Sequence, residues 1–423
     1  MTANFQAEVF QNAYLPAGST EVHAIMTVST LGTAINSTPT TSSNRLFGII
    51  CDTSGSMDGA KIQSAKKAII QLIEMLPADV SFFVIGGATK AKPIVSVMRA
   101  DAVNKTAAIK LVRAEITANG GTRISTWLEA AYQQFQIMPE AIRQALLLTD
   151  GQNDLNDATD LDNKLQACEG VFQCDCRGVG TDWQVKQLQA IGNRLLGTTD
   201  IIAAPDQIAS DFQAILDKAL GKNIADVKLR LWSPQGADIL YCKQVSPSIT
   251  DLTAQRLNPQ TLDYPTGAWA AQESRDYHFC IKVNPGNIGD EMLAGRASLI
   301  ATAAGVETKI AEGKILATWT EDEAKSTRID RTVAHYTGQA ELAQSIQEGL
   351  AARNAGNIEV ATIKLEKAVK LAAASGNEAT TKLLKSVVDI DDAGTVRLKH
   401  SVEKLDEMAL ETRSTVTTRI PKL

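Results

Sequence analysis

Between residues 45 and 220 the chain alternates two kinds of apolar pattern. Short, nearly continuous apolar runs at 45–51, 80–86, 93–98, 143–149 and 171–179 give way to helical periodicity at 59–76, 101–118, 123–138, 158–169 and 182–195. Ile201 to Ala203 then leads through Pro205, well placed at a helix start, into a last helix ending at Leu220. Alternation of this kind predicts a parallel sheet covered on both faces, a Rossmann-like, doubly wound α/β domain over 45–222. Outside it the period changes. Ala7 to Tyr14 and Glu21 to Leu31 read as two strands around Leu15-Pro16-Ala17-Gly18, a hairpin too small to stand alone, and polar residues 36–44 read as a linker. Runs at 227–232, 238–245, 277–283, 297–303 and 309–318, separated by Gly/Pro turns, predict a β-sandwich over 223–319. Residues 1–44 would complete that sandwich, so the α/β domain is inserted into it. Tyr264-Pro265-Thr266-Gly267-Ala268-Trp269 reads as a turn pinned by a buried tryptophan. The region 320–423 is helical, with helices at 341–353, 358–372 and 378–388 and a tail.

Two of those helices, spanning about 34 residues, resemble one tetratricopeptide-like unit, a packed or partner-binding appendage. The tail, Glu411 to Ile420, is rich in Ser and Thr between arginines. It reads as a terminal strand or frayed end, with a phosphorylation switch as the alternative.

The chemistry concentrates where strands end. Ile49-Ile50-Cys51-Asp52-Thr53-Ser54-Gly55-Ser56-Met57 carries an apolar strand into Asp-x-Ser-x-Ser, one carboxylate and two hydroxyls on a tight loop. Ligands of open α/β sheets bind at that edge. Downstream and in order come Gly120-Gly121-Thr122-Arg123-Ile124, with the hydroxyl of Thr122, and Leu146-Leu147-Leu148-Thr149-Asp150-Gly151, a strand ending in an acid. Asp58 reads as a helix-start charge, and so do Asp154, Asp157, Asp160 and Asp162, which miss the EF-hand pattern.

These three loops resemble the metal-ion-dependent adhesion site (MIDAS) of von Willebrand factor A (vWA) domains. The resemblance implies that Asp52, Ser54, Ser56, Thr122 and Asp150 hold Mg²⁺ (or Mn²⁺ or Ca²⁺), directly or through water. It also implies that a Glu or Asp of a partner protein completes the shell. Magnesium takes about six oxygens and keeps several waters, which suits a site with few charged ligands. The full layout resembles bacterial vWA proteins linked with stress response, tellurite resistance or signalling. The reading is therefore a non-enzymatic, metal-dependent protein-interaction module. Self-association, through the chain's own acid on a neighbour's ion, stays open.

Composition narrows the picture. A net charge of −6 over 423 residues argues against a nucleic-acid binder driven by phosphate contacts. The amino terminus lacks a signal-peptide pattern and no run approaches a membrane span, so a cytoplasmic protein is expected. Six cysteines are too few for a disulfide framework, and Cys168, Cys174 and Cys176 match no zinc template, so buried reduced thiols are expected. A metal-dependent hydrolase is the second reading. Against it, His23, His278, His335 and His400 adjoin none of the three loops and no phosphate loop occurs; His278 reads as a packed strand residue. An adaptor subunit of an ATPase complex is the third.

Overall fold

A computed structural model describes residues 4–31, 44–303, 305–391 and 396–420; the expected linker, save Asn44, lies outside them. The chain divides into two units. One comprises Met1–Thr33, Asp226–Thr266 and Ala270–Leu423, the other Ala34–Ala225 with Gly267–Trp269.

Three strands come first: β1 (Asn4–Gln11), β2 (Tyr14–Pro16) and β3 (Glu21–Leu31). β1 and β3 pair antiparallel, Asn4 opposite Leu31. Tyr14, expected in the first hairpin strand, belongs instead to β2, which joins another sheet with Tyr14 opposite Thr318.

The second unit then runs β4 (Arg45–Asp52), α1 (Ala60–Met75), β5 (Val80–Gly87), β6 (Ala91–Arg99), α2 (Ala102–Glu115), α3 (Ile124–Phe135), β7 (Ile142–Thr149), α4 (Ala158–Cys168), β8 (Gln173–Val179), α5 (Val185–Arg194), β9 (Thr199–Ile202) and α6 (Ile208–Gly221). Its sheet has the order β6-β5-β4-β7-β8-β9. All neighbours are parallel except β6, which folds back antiparallel on β5. A connection of three residues leaves no room for the crossover a parallel partner requires. β4 is the central strand, buried from Leu46 to Asp52.

Alternation along β4 sends successive side chains to opposite helical layers. Phe47, Ile49 and Cys51 share one core with Ile62, Ile69 and Leu72 of α1 and with Phe212 of α6. On the other face Phe135 of α3 meets Phe83 of β5 edge-on, with centroids 4.8 Å apart, and stacks on Phe172. Helix α1 forms because Ile62, Ala65, Ile69, Leu72 and Ile73 fall on one stripe, all buried. Cys168, Cys174 and Cys176 are buried free thiols. Burial pushes Cys168 up to about 12, and the hydrogen bond to Cys176 together with burial raises Cys174.

The first unit resumes with β10 (Lys222–Trp232), β11 (Asp238–Ser246), β12 (Thr250–Asp251), β13 (Gln255–Asn258), β14 (Thr261–Ala270), β15 (Ser274–Lys282), β16 (Glu291–Ala303) and β17 (Val306–Thr320). They build sheets of order β1-β3-β15-β11-β12 and β13-β14-β10-β16-β17-β2. The sheets pack face to face: a Cβ on Gly295 of β16 would strike Ile281 of β15 at 2.6 Å, and one on Gly313 of β17 would strike Val9 of β1 at 2.2 Å. The segment expected as a Pro/Gly turn, Tyr264 to Trp269, lies inside β14. Gly267 at φ 73° explains its turn-like sequence, and Trp269 is fully buried.

Helices α7 (Glu323–Ser326), α8 (Arg331–Asn354), α9 (Ile358–Ala374) and α10 (Glu378–Val387) follow, then β18 (Val388–Ile390), β19 (Val396–Leu398) and α11 (Lys404–Arg413). Asp330, Asn357 and Asn377 cap α8, α9 and α10 through their side chains. Leu342, Ile346, Leu365, Ala368, Leu384 and Leu410 share the helical core. Val333 and Tyr336 of α8 pack on Ile25 and Val245 of the five-stranded sheet. The tail is docked: Ile249 N donates to Thr415 O at 2.8 Å, Thr417 Oγ1 to Val245 O at 2.6 Å, and Arg419 pairs with buried Asp276 at 2.9 Å. Thr412 and Ser414 are buried, so those hydroxyls offer no kinase an accessible target.

Candidate metal centre

The three loops meet at the carboxyl edge of β4 and β7. Cys51 lies opposite Leu148 in the ladder, so Asp52 and Thr149 are next to one another where the two strands end. Backbone bonds stitch the first loop to its neighbours. Thr53 N donates to Gly87 O at 2.6 Å, Gly55 N to Gly120 O at 2.9 Å, and Asn119 N to Thr53 O at 2.7 Å. Gly120, at φ 88°, makes the left-handed turn that aims its carbonyl at Gly55. Asp154 N then donates to Thr122 O at 2.8 Å, tying the second loop to the third.

The side chains form a chain of oxygen atoms. Asp52 Oδ1 accepts from Ser54 N at 2.7 Å, and its Oδ2 accepts from Thr149 Oγ1 at 2.5 Å. Ser54 Oγ and Ser56 Oγ are 3.0 Å apart, and Ser56 Oγ donates to Asp150 Oδ1 at 2.7 Å. Thr122 joins this group from the second loop. A Cβ built on Gly151 would lie 3.3 Å from Ser56 Oγ, 3.4 Å from Thr122 Oγ1 and 4.0 Å from Asp52 Oδ2. Oxygens of the first two loops therefore converge beside Gly151 of the third, and Asp150 joins them through its hydrogen bond from Ser56. All five residues singled out in the sequence are brought together.

Asp52 and Asp150 are fully buried, whereas Ser56 is exposed at the mouth. Burial holds the Asp52 carboxyl above its ordinary range. Hydrogen bonds from Ser54 and Thr149 offset part of that, and the charge of Asp150 adds to it. An anionic, oxygen-lined recess with one wet side suits a cation.

Four residues of the surroundings escape sequence reading. Thr149 fixes the far oxygen of Asp52. Lys61 of α1 sets its ammonium 2.5 Å from Asp150 Oδ2 and 3.9 Å from Asp182. Asp157, expected as a helix-start charge, is instead buried and accepts from both Ser125 N, at 2.9 Å, and Ser125 Oγ. Asn153 Oδ1 accepts from Ile124 N at 2.8 Å. The third loop thus supplies the N-terminal cap that α3 lacks of its own, holding the Thr122 loop in place. The only signal for Asp157 and Asn153 was their distance past Asp150; Lys61 carried none.

A central strand delivering Asp-x-Ser-x-Ser to the edge of a mostly parallel sheet, met there by a threonine loop and an acid loop, is the architecture of a vWA domain. The comparisons agree. The von Willebrand factor type A domain profile matches residues 48–201, and the von Willebrand factor type A C-terminal domain profile matches 370–414. A von Willebrand factor type A protein from Catenulispora acidiphila superposes with a TM-score of 0.92 at 45% identity, covering 99% of this chain and 98% of that one. The chain belongs to the vWA family. An ArnB paralog, VWA2 from Sulfolobus acidocaldarius, shares the fold over 97% of this chain and 98% of its own, at TM-score 0.60 and 13% identity. An uncharacterized Synechocystis protein is 29% identical over 213 residues, 49% of this chain; the chain spans 50% of that relative's length. Human inter-alpha-trypsin inhibitor heavy chain H4 is 32% identical over 146 residues, 31% of this chain and 15% of its own length. The vWA family often mediates protein–protein interaction. Among the described residues no helix is long and apolar enough to cross a membrane.

Proposed function

We propose that this chain is a divalent-metal-dependent interaction module whose ion, Mg²⁺ in the first instance, receives a carboxylate from a partner protein. The observation that carries this reading is the convergence of Ser56, Thr122 and Asp52 oxygens beside Gly151. The donor set fits the ion: hydroxyls of Ser54, Ser56 and Thr122 and carboxylates of Asp52 and Asp150 are hard oxygen ligands. When bound, the cation supplies an electrophilic anchor for an acidic side chain. The chain's own residues set its strength. Ser54, Ser56 and Thr122 are neutral, so with only two carboxylates around a divalent ion the loaded site carries no surplus negative charge to repel an incoming acid.

We read the site as binding rather than catalytic. His23 and His278 lie on β3 and β15, His335 on α8 and His400 beyond β19, so none lies on the three loops. All six cysteines are buried free thiols, which fits a reducing compartment such as the bacterial cytoplasm.

The test has two stages. Calorimetric titration with Mg²⁺ should give binding by the unaltered chain and none by Asp52→Ala or by Ser54→Ala combined with Ser56→Ala. Affinity capture read by mass spectrometry should then return proteins retained in Mg²⁺ and lost in EDTA. A chain that takes up no divalent ion, or captures the same proteins in EDTA, overturns the reading.

A further inference from the structure

The five-stranded sheet carries a second set of ligand-type side chains. β3 and β15 pair with His23 opposite Cys280, and β11 places Tyr241 on the other side of Cys280. Alternation puts Glu21 on the same face as His23, and His278 on the same face as Cys280. A carboxylate oxygen of Glu21, a ring nitrogen of His23 and the Cys280 sulfur lie within 4.8 Å of one another. Glu21 Oε2 is 3.7 Å from His23 Nε2, and Cys280 Sγ is 3.9 Å from that nitrogen. The Glu21 and His23 side chains are 54% and 39% exposed, so the group opens to solvent although Cys280 is buried.

Those spacings are close to the ones a four-coordinate ion imposes. With metal–sulfur bonds of about 2.3 Å and metal–nitrogen and metal–oxygen bonds of about 2.0–2.1 Å, tetrahedral angles separate sulfur from nitrogen by about 3.6 Å. Nitrogen and oxygen come out about 3.4 Å apart. A contraction of about 0.3 Å closes each of the two His23 edges, and rotation of the exposed Glu21 side chain brings its oxygen in toward Cys280 from within 4.8 Å.

The surroundings prepare the same nitrogen. His23 Nδ1 lies 3.2 Å from His278 Nε2 and 3.4 Å from the Tyr241 hydroxyl. Either neighbour can hold His23 Nδ1 in a hydrogen bond, which fixes the plane of the ring. The other ring nitrogen, Nε2, is the one that faces Glu21 and Cys280. A ligating histidine is ordinarily oriented in this way, by a hydrogen bond from its other nitrogen.

We propose that Glu21, His23 and Cys280 form a binding site for a zinc-class transition-metal ion, with water or an external ligand in the fourth position. The sulfur and imidazole donors select an ion softer than magnesium, so the two sites divide the available cations by chemistry. On binding, the Cys280 thiol releases its proton to solvent and the thiolate, the imidazole and the carboxylate take the ion; no oxidant is involved.

Cobalt(II) tests this on the full chain, because a thiolate ligand produces a near-ultraviolet charge-transfer band. Titration of chelator-treated protein should give that band, saturating at one Co²⁺ per chain and bleached by Zn²⁺ but unmoved by millimolar Mg²⁺. Asp52→Ala should retain it and Cys280→Ser should lose it. Because Cys280 is buried, Glu21→Gln and His23→Gln provide surface controls. Each should keep the unaltered circular dichroism spectrum and weaken Co²⁺ binding at least about tenfold. Absence of the band, its survival in Cys280→Ser, its loss in Asp52→Ala, or unaltered affinity in both surface variants overturns the proposal.

Discussion

Replacing Lys61 by methionine keeps the apolar stem and removes only the charge. The ammonium it deletes stands 2.5 Å from Asp150, whose side chain is wholly buried while that of Lys61 is 27% exposed. Exposed ion pairs contribute about 0–1 kcal/mol, and stripping the partner from a fully buried charge costs about 3–5 kcal/mol. This pair lies between those cases, since Ser56 still donates to the other carboxylate oxygen. A loss of about 2 kcal/mol follows, which lowers the melting point by about 4–8 °C in a domain of this size. With a divalent ion the margin closes. In the unaltered chain the ion takes Asp150 from Lys61; in the variant there is nothing to displace. The same 2 kcal/mol then appears as tighter binding, about 10–50-fold, at 1.4 kcal/mol per factor of ten. Thermal melts in EDTA and along a Mg²⁺ titration, paired with calorimetry for Kd, read both effects. A variant that melts lower by one constant margin at every Mg²⁺ concentration would refute the exchange and leave Lys61 a structural residue.

Three further outcomes are expected. Gly151→Ala, which puts a methyl group 3.3–3.4 Å from the Ser56 and Thr122 hydroxyls, should abolish the Mg²⁺ heat while shifting the metal-free melting point little. Trp127→Ala should cost about 3–5 kcal/mol in urea unfolding, because the indole is fully buried against Gly87 and donates to Ala88 O at 2.7 Å. Asp175 is buried, which raises its carboxyl, but Arg177, Lys222 and Lys218 outweigh burial and hold it below the ordinary range. The stability it contributes is present above the unfolded-state value and is lost as pH falls through the depressed one. Asp175→Asn should therefore flatten the acid limb of a stability–pH curve.

Periodicity revealed the elements of the inserted unit because each buries one clean stripe or one full strand, as α1 and β4 do. The five oxygen-bearing residues were legible because each loop is short and local. What stayed hidden depends on distance through space. Lys61 is one of several surface-type lysines until α1 is laid beside β7. Asp157 has an ordinary helix-start sequence, yet its buried position across from Ser125 decides its role. β14 was misread because Pro265 and Gly267 are turn residues by local chemistry, and only the sheet around them makes a strand. Tyr14 went to the wrong strand for a similar reason: three residues pair with β17, some three hundred positions away.

The insertion has a consequence for how the molecule is made. β3 is an interior strand of its sheet, yet its second neighbour, β15, pairs Thr27 with Asp276 and is synthesised after the whole of the inserted unit. As the polypeptide leaves the ribosome, the inserted unit holds all its strands while β3 has only β1 beside it. Vectorial synthesis therefore favours closure of the inserted α/β unit first, with the amino-terminal hairpin held as a waiting half-sheet until its remaining partner arrives.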